Sequence, residues 1–79
     1  MPRQKVDPSE IELEPVISSN ISAVGHDEDS QTLVVEFLSG DVWSYSGVSR
    51  DTFLSLRDAA SVGGFFARNI KNQYPARRV

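Results

Sequence analysis

Between Leu33 and Val48 the chain reads Leu-Val-Val-Glu-Phe-Leu-Ser-Gly-Asp-Val-Trp-Ser-Tyr-Ser-Gly-Val, and this stretch limits what the rest can fold into. Leu33, Val35 and Phe37 alternate with Val34, Glu36 and Leu38, the two-residue period of a pleated strand. Ser39-Gly40-Asp41 then interrupts the pattern with the chemistry of a tight turn. Beyond it Trp43 and Tyr45 share one face of a second strand, and Val42, Ser44 and Ser46 share the other. A hairpin with two large aromatics on one face must bury that face against something else.

The flanking segments supply the cover. Ile21, Ala23 and Gly25 alternate with Ser22, Val24 and His26, and a five-residue polar loop, Asp27 to Gln31, leads into the Leu33 strand. Together these make an antiparallel meander. After it, Ser49 is placed to cap a helix: its hydroxyl can accept from a free backbone N–H, and Asp51 suits the helix dipole. That helix is expected from Arg50 to about Ala60, with Phe53, Leu56 and Ala60 on one face. Gly63-Gly64 is expected to break it, because adjacent glycines are costly inside a helix. A second helix follows from about Gly64 to Asn72 and stops before Tyr74-Pro75. The expected fold is therefore α+β, a three-stranded antiparallel β-meander followed by two short α-helices packed on one face.

Residues 1–15 have a different composition, acidic and punctuated by Pro2, Pro8 and Pro15. They are expected as a flexible tail, with the domain spanning residues 16–79. The alternation of Ile11 and Leu13 with glutamates offers the other reading, an extra edge strand. Charge divides along similar lines. Residues 1–41 carry nine acids against two bases, a balance of −7, and residues 42–79 carry six bases against two acids, a balance of +4. From Ser61 onward there is no acid.

With no cysteine, a disulfide framework and a cysteine-based zinc site are excluded. No apolar run approaches the roughly 20 residues of a membrane span, and the N-terminal residues lack a signal-peptide core, so a cytoplasmic location is expected. His26 beside Asp27 is the single acid–base neighbour pair, yet no serine, cysteine or lysine stands in a motif that would complete a nucleophilic site. The acidic loop from Asp27 to Gln31 lacks the glycine and the closing glutamate of a calcium-binding loop. Gly63-Gly64 lacks the further glycines or lysine of a phosphate-binding turn. Neither catalysis nor a metal or other cofactor is expected.

Aromatic and basic residues are the better guide. Phe37, Trp43, Phe53 and Phe66 are expected to form the aromatic core of so small a domain. Tyr45 can pack its ring and still present its hydroxyl. Arg68, Lys71, Tyr74, Arg77 and Arg78 form a basic, aromatic-bearing run toward the C-terminus, the combination RNA-binding surfaces use to hold phosphates and stack bases.

Segments along the whole domain carry a family resemblance. Ser18-Ser-Asn-Ile21 leading to Val24-Gly25, Thr32-Leu-x-Val-Glu-Phe37, Gly40-x-Val-Trp-x-Tyr-x-Gly-Val48, Gly64-x-Phe-x-x-x-Ile70 and Tyr74-Pro-x-Arg-Arg-Val79 resemble the KTSC domain in order and spacing. That family takes its name from the C-terminus of some lysyl-tRNA synthetases and occurs also as small stand-alone bacterial and phage proteins. The resemblance covers about residues 16–79. The family's central Tyr-x-Tyr is here Trp43-x-Tyr45, so the first phenol hydroxyl is absent. Attachment to a tRNA-charging enzyme implies RNA as ligand and, position by position, points to Tyr45, Arg68, Tyr74, Arg77 and Arg78. A binding module for structured RNA such as tRNA is thus the first expectation. A phage or accessory protein that docks on a host protein is the second.

Overall fold

The computed structural model describes residues 7–79. A five-stranded antiparallel sheet, in the order β1-β2-β3-β4-β5, carries two helices on one face. The strands are β1 (Glu14–Pro15), β2 (Ile21–Asp27), β3 (Thr32–Phe37), β4 (Val42–Ser46) and β5 (Ala76–Arg78). The helices are α1 (Arg50–Arg57) and α2 (Val62–Asn69), both between β4 and β5 in the chain.

The α+β class and the central meander agree with the reading of the sequence. The strand count does not: β1 and β5 flank the three expected strands. Both additions are two or three residues long with exposed side chains, so backbone pairing rather than apolar alternation makes them strands. Residues 1–6 of the expected tail lie outside the described residues. From Asp7 onward the segment forms a short 3-10 turn at Pro8–Glu10, with Asp7 accepting from Ser9 N–H at 3.0 Å, and then β1.

Both helices begin as hydroxyl caps dictate. Ser49 Oγ accepts from Thr52 N–H at 3.2 Å, and Ser61 Oγ accepts from Gly64 N–H at 3.2 Å. The second cap corrects the expected start of α2. The helix starts two residues before Gly64, so both glycines sit in its first turn, where the N–H groups have no intrahelical partner to lose and the cap satisfies one of them. The first helix ends at Arg57, three residues earlier than expected.

The pairing register decides what becomes core. Val24 faces Val35, Leu33 faces Tyr45 and Val35 faces Trp43, so these side chains share the helix side of the sheet. A register shift between Ile21 and Ala23 lets both Ile21 and Val24 reach that side, although strict alternation from Ile21 would exclude Val24. Phe53 and Leu56 from α1, Val62 and Phe66 from α2, and Ile70 just beyond close over them. Val48 completes the cluster from the β4–α1 connection. In the β3–β4 turn Gly40 takes φ 97°, a left-handed conformation that suits glycine. Its N–H donates to Phe37 O at 2.9 Å.

His26 has a structural position. Its Nε2–H donates to Val48 O at 2.7 Å, and the ring stacks on Phe53 with centroids 5.2 Å apart. This ties β2 to the start of α1. Asp27 Oδ2 accepts from Ser30 N–H at 3.0 Å and so shapes the polar loop.

Candidate nucleic-acid interface

Where α2 leaves the sheet, the aromatic face of β4 is not fully covered. Phe66 lies over its centre, edge-on to Tyr45 with centroids 5.5 Å apart and edge-on to Phe37 at 5.5 Å. Tyr45 is consequently 6% exposed, and burial pushes its phenol above the ordinary tyrosine range. Trp43, two residues nearer the sheet margin, stays half-buried. A groove of about 400 Å³ opens there, with Phe37, Trp43, Tyr45 and Phe66 as an aromatic floor. Asn20, Ala67, Lys71, Asn72 and Ala76 form its rim.

The rim is positioned by the end of α2. Ile70 N–H and Lys71 N–H both donate to Phe66 O, at 3.0 and 2.9 Å, and Asn72 takes φ 66°, which asparagine tolerates better than most residues. The chain thereby turns with Lys71 and Asn72 at the groove before running into β5. On the opposite wall Asn20 is held in the turn before β2, where its Oδ1 accepts from Ser18 Oγ–H at 3.0 Å.

The six residues expected to bind nucleic acid do not converge on one surface. Tyr45 and Lys71 meet in the groove. Tyr45 belongs to its floor, and its ring has no open face for a base. Arg68 is exposed on α2, with its guanidinium lying back toward Gly64. Tyr74 borders a different cleft, lined also by Asp51, Thr52, Ser55, Phe65 and Asn69. Arg77 pairs with Ser44, so it projects on the sheet face away from the helices. Arg78 pairs with Trp43, projects on the helix side and is bonded to Asp41. Of the four expected core aromatics, Phe53 and Phe66 are buried, whereas Phe37 and Trp43 are half-buried at the groove.

Asn20 and Asn72, the two amide side chains among the residues lining the groove, escaped the sequence reading. They are 52 positions apart, each in a turn, and no spacing rule links them. Elsewhere Arg57 lies 3.6 Å from Glu14 and 3.0 Å from Asp58, and Arg50 lies 3.7 Å from Glu28. The acids of the first half thus hold α1 cations, and among the described residues Lys71 is the cation that lines the groove. Among the described residues no group of three or more His, Asp or Glu side chains is placed to hold a metal ion. No helix among them is long and apolar enough to cross a membrane.

A meandering antiparallel sheet with two consecutive helices on one face, and an aromatic groove at the end of the second, defines a small α+β domain. Residues 17–74 match the KTSC domain, and the chain belongs to the KTSC domain family. It is similar to a crystal structure of a KTSC domain protein from Yersinia pestis, with a TM-score of 0.85 and 30% identity, over 87% of this chain and 97% of that one. It is also 35% identical over 57 residues to an uncharacterized protein of Stutzerimonas stutzeri (strain A1501), spanning 72% of this chain and 80% of the relative.

Proposed function

We propose that this KTSC domain is a non-catalytic binding module whose ligand is a structured RNA such as tRNA, held through an unpaired stretch at the aromatic groove. The supporting observation is the half-buried Trp43 lining a groove that also holds Lys71, Asn20 and Asn72. An unstacked base packs against the open part of the indole, a contact worth about 1–3 kcal/mol per base where such stacking has been measured. The two side-chain amides offer donors and acceptors to a base edge, and Lys71 takes the adjoining phosphate. Arg68 extends the positive charge along α2. A duplex presents no unstacked base to such a groove, so loops and single strands are favoured over helical RNA. A tRNA ligand also places the protein in the cytoplasm.

With a formal net charge of −3, electrostatic attraction comes from the local cations alone. Affinity is accordingly modest and salt-sensitive. The test is a fluorescence titration of tRNA against the protein, read on its single Trp, at low and near-physiological salt. Quenching that saturates, weakens as salt rises and is lost in Lys71→Glu supports the reading. Saturation unchanged by Lys71→Glu, or no quenching even at low salt, overturns it.

A further inference from the structure

β5 is the last strand of the sheet, so among the described residues one of its sides has no neighbouring strand. Its ladder to β4 determines which groups that side presents. Ser46 N–H donates to Pro75 O at 3.0 Å, and Val79 N–H donates to Val42 O at 2.9 Å. With Arg77 opposite Ser44, residues 75, 77 and 79 turn their backbone groups inward. Antiparallel alternation then turns the N–H and C=O of both Ala76 and Arg78 outward. All three residues of β5 are exposed.

The other edge is closed. Val16 N–H donates inward to Ser22 O at 3.1 Å, which leaves Pro15 in the outward position, and proline has no N–H to give. Among the described residues only β5 therefore offers an edge run of alternating donors and acceptors.

Charge selects the occupant. Arg77 stands on the far face with no ion pair among the described residues, and Arg78 stands on the helix side beside Asp41. A second copy pairing antiparallel about Arg77 would set Arg77 opposite Arg77, and like charges directly opposite oppose pairing. A second copy offering β1 meets the missing donor at Pro15. An RNA strand carries the complementary charge but lacks the alternating amide and carbonyl that match Ala76 and Arg78.

We propose that β5 docks an extended acidic segment of a partner protein, which adds to the sheet by bonding to the backbone of Ala76 and Arg78. The two-residue period sets the pattern of that segment. Its residues on the far face lie beside Arg77 and are Asp or Glu. Those on the helix side lie beside Ala76, at the mouth of the aromatic groove, and are apolar.

The test uses a fluorescent peptide of alternating Glu and Val residues with the intact protein, followed by anisotropy and by backbone-amide NMR. The expected result is saturable binding with the Ala76 and Arg78 amide signals shifted, weakened about tenfold by Arg77→Glu. A peptide of equal charge with N-methylated amides should lose binding as well, and this arm decides even where Arg77→Glu perturbs the fold. Arg77→Glu lies on the sheet face away from the groove and should leave tRNA quenching of the Trp intact, so failure of the RNA reading and failure of this one are distinguishable. Three results overturn the proposal: equal binding of the N-methylated peptide, displacement of the peptide by an RNA oligonucleotide that shifts the same two amides, or concentration-dependent self-association that protects them without peptide.

Discussion

The carbonyl oxygen of Glu12 lies over the α-carbon of Gly25, so close that a Cβ on Gly25 would stand 2.3 Å from it. The same Cβ would come 2.9 Å from Leu13 Cδ2 and 3.1 Å from Ile11 Cγ2. Gly25 pairs with Val34, which is 1% exposed on the sheet face away from the helices. The segment preceding β1 thus folds onto the back of β2, and the absence of a side chain at Gly25 is what admits it. Gly25→Ala forces a backbone atom to move and should destabilise the domain by about 1–3 kcal/mol, the range for overpacking a well-filled site. Urea denaturation checks this. A loss within experimental error would show that residues 11–13 lift away freely.

Gly63 makes a useful contrast. A Cβ there would stand 2.5 Å from Asn20 Oδ1, nominally as severe a clash. Here the obstacle is the end of a rotatable side chain, exposed and hydrogen-bonded to half-buried Ser18. Replacing glycine by alanine in a helix contributes about 0.5–1 kcal/mol of propensity, which offsets the loss of that bond. Gly63→Ala should leave stability nearly unchanged while Gly25→Ala does not, and equal losses for the two would contradict this account.

The contrast bears on how much was legible in the sequence. Alternation at Leu33, Val35 and Phe37 identified the meander and its core face, because a buried face needs every second residue apolar. Ser49 was legible as a cap for a similar local reason. The contact between Glu12 and Gly25 was not, since it depends on a tail folding back over a strand it does not resemble in pattern. β5 was hidden because Ala76-Arg77-Arg78 buries no side chain, and backbone pairing leaves no compositional trace. Periodicity placed Trp43 and Tyr45 on one face. How far Phe66 would extend along that face, covering Tyr45 and leaving Trp43 half-open, depends on where α2 starts, and the Gly63-Gly64 pair misdirected that reading.

The uneven coverage predicts unequal costs. Phe66 meets both Phe37 and Tyr45 and is 5% exposed, so Phe66→Ala should cost about 3–5 kcal/mol. Trp43 already has part of its ring in the groove, and Trp43→Ala should cost roughly 2 kcal/mol, below the range for a buried aromatic. Chemical denaturation of the two variants gives the comparison. Equal losses would mean that the indole is sealed and the groove shut.

Removing residues 1–14 tests the same fold from its other side. The deletion takes away Ile11 and Leu13, both half-buried, together with the β1 residue Glu14 that lies 3.6 Å from Arg57. The ion pair is largely exposed and adds little. The apolar cover is the larger part, about 1–3 kcal/mol for two partly buried side chains. In a domain of this size each 1 kcal/mol shifts Tm by about 4–8 °C. A lower Tm in calorimetry is expected; an unchanged Tm would support the reading of residues 1–15 as a flexible tail.

Tyr45 predicts how the domain responds to alkali. Burial raises its folded-state pKa above the unfolded value of about 10 because the phenolate cannot be solvated beneath Phe66. With the folded pKa raised, this contribution to stability is fully present below about pH 10. It falls as pH rises from there through the folded pKa, because the unfolded chain releases its proton first. Tyr45→Phe keeps the ring on Phe66 and removes the titration, so the variant should lose less stability than the parent between about pH 8 and about pH 11. Urea midpoints of both proteins at the two pH values measure the difference, and other alkaline titrations cancel in the comparison. Parallel losses would mean that the Tyr45 hydroxyl is solvated through the groove, in which case the floor beneath a bound base would be wet and the stacking contact proposed for Trp43 correspondingly weaker.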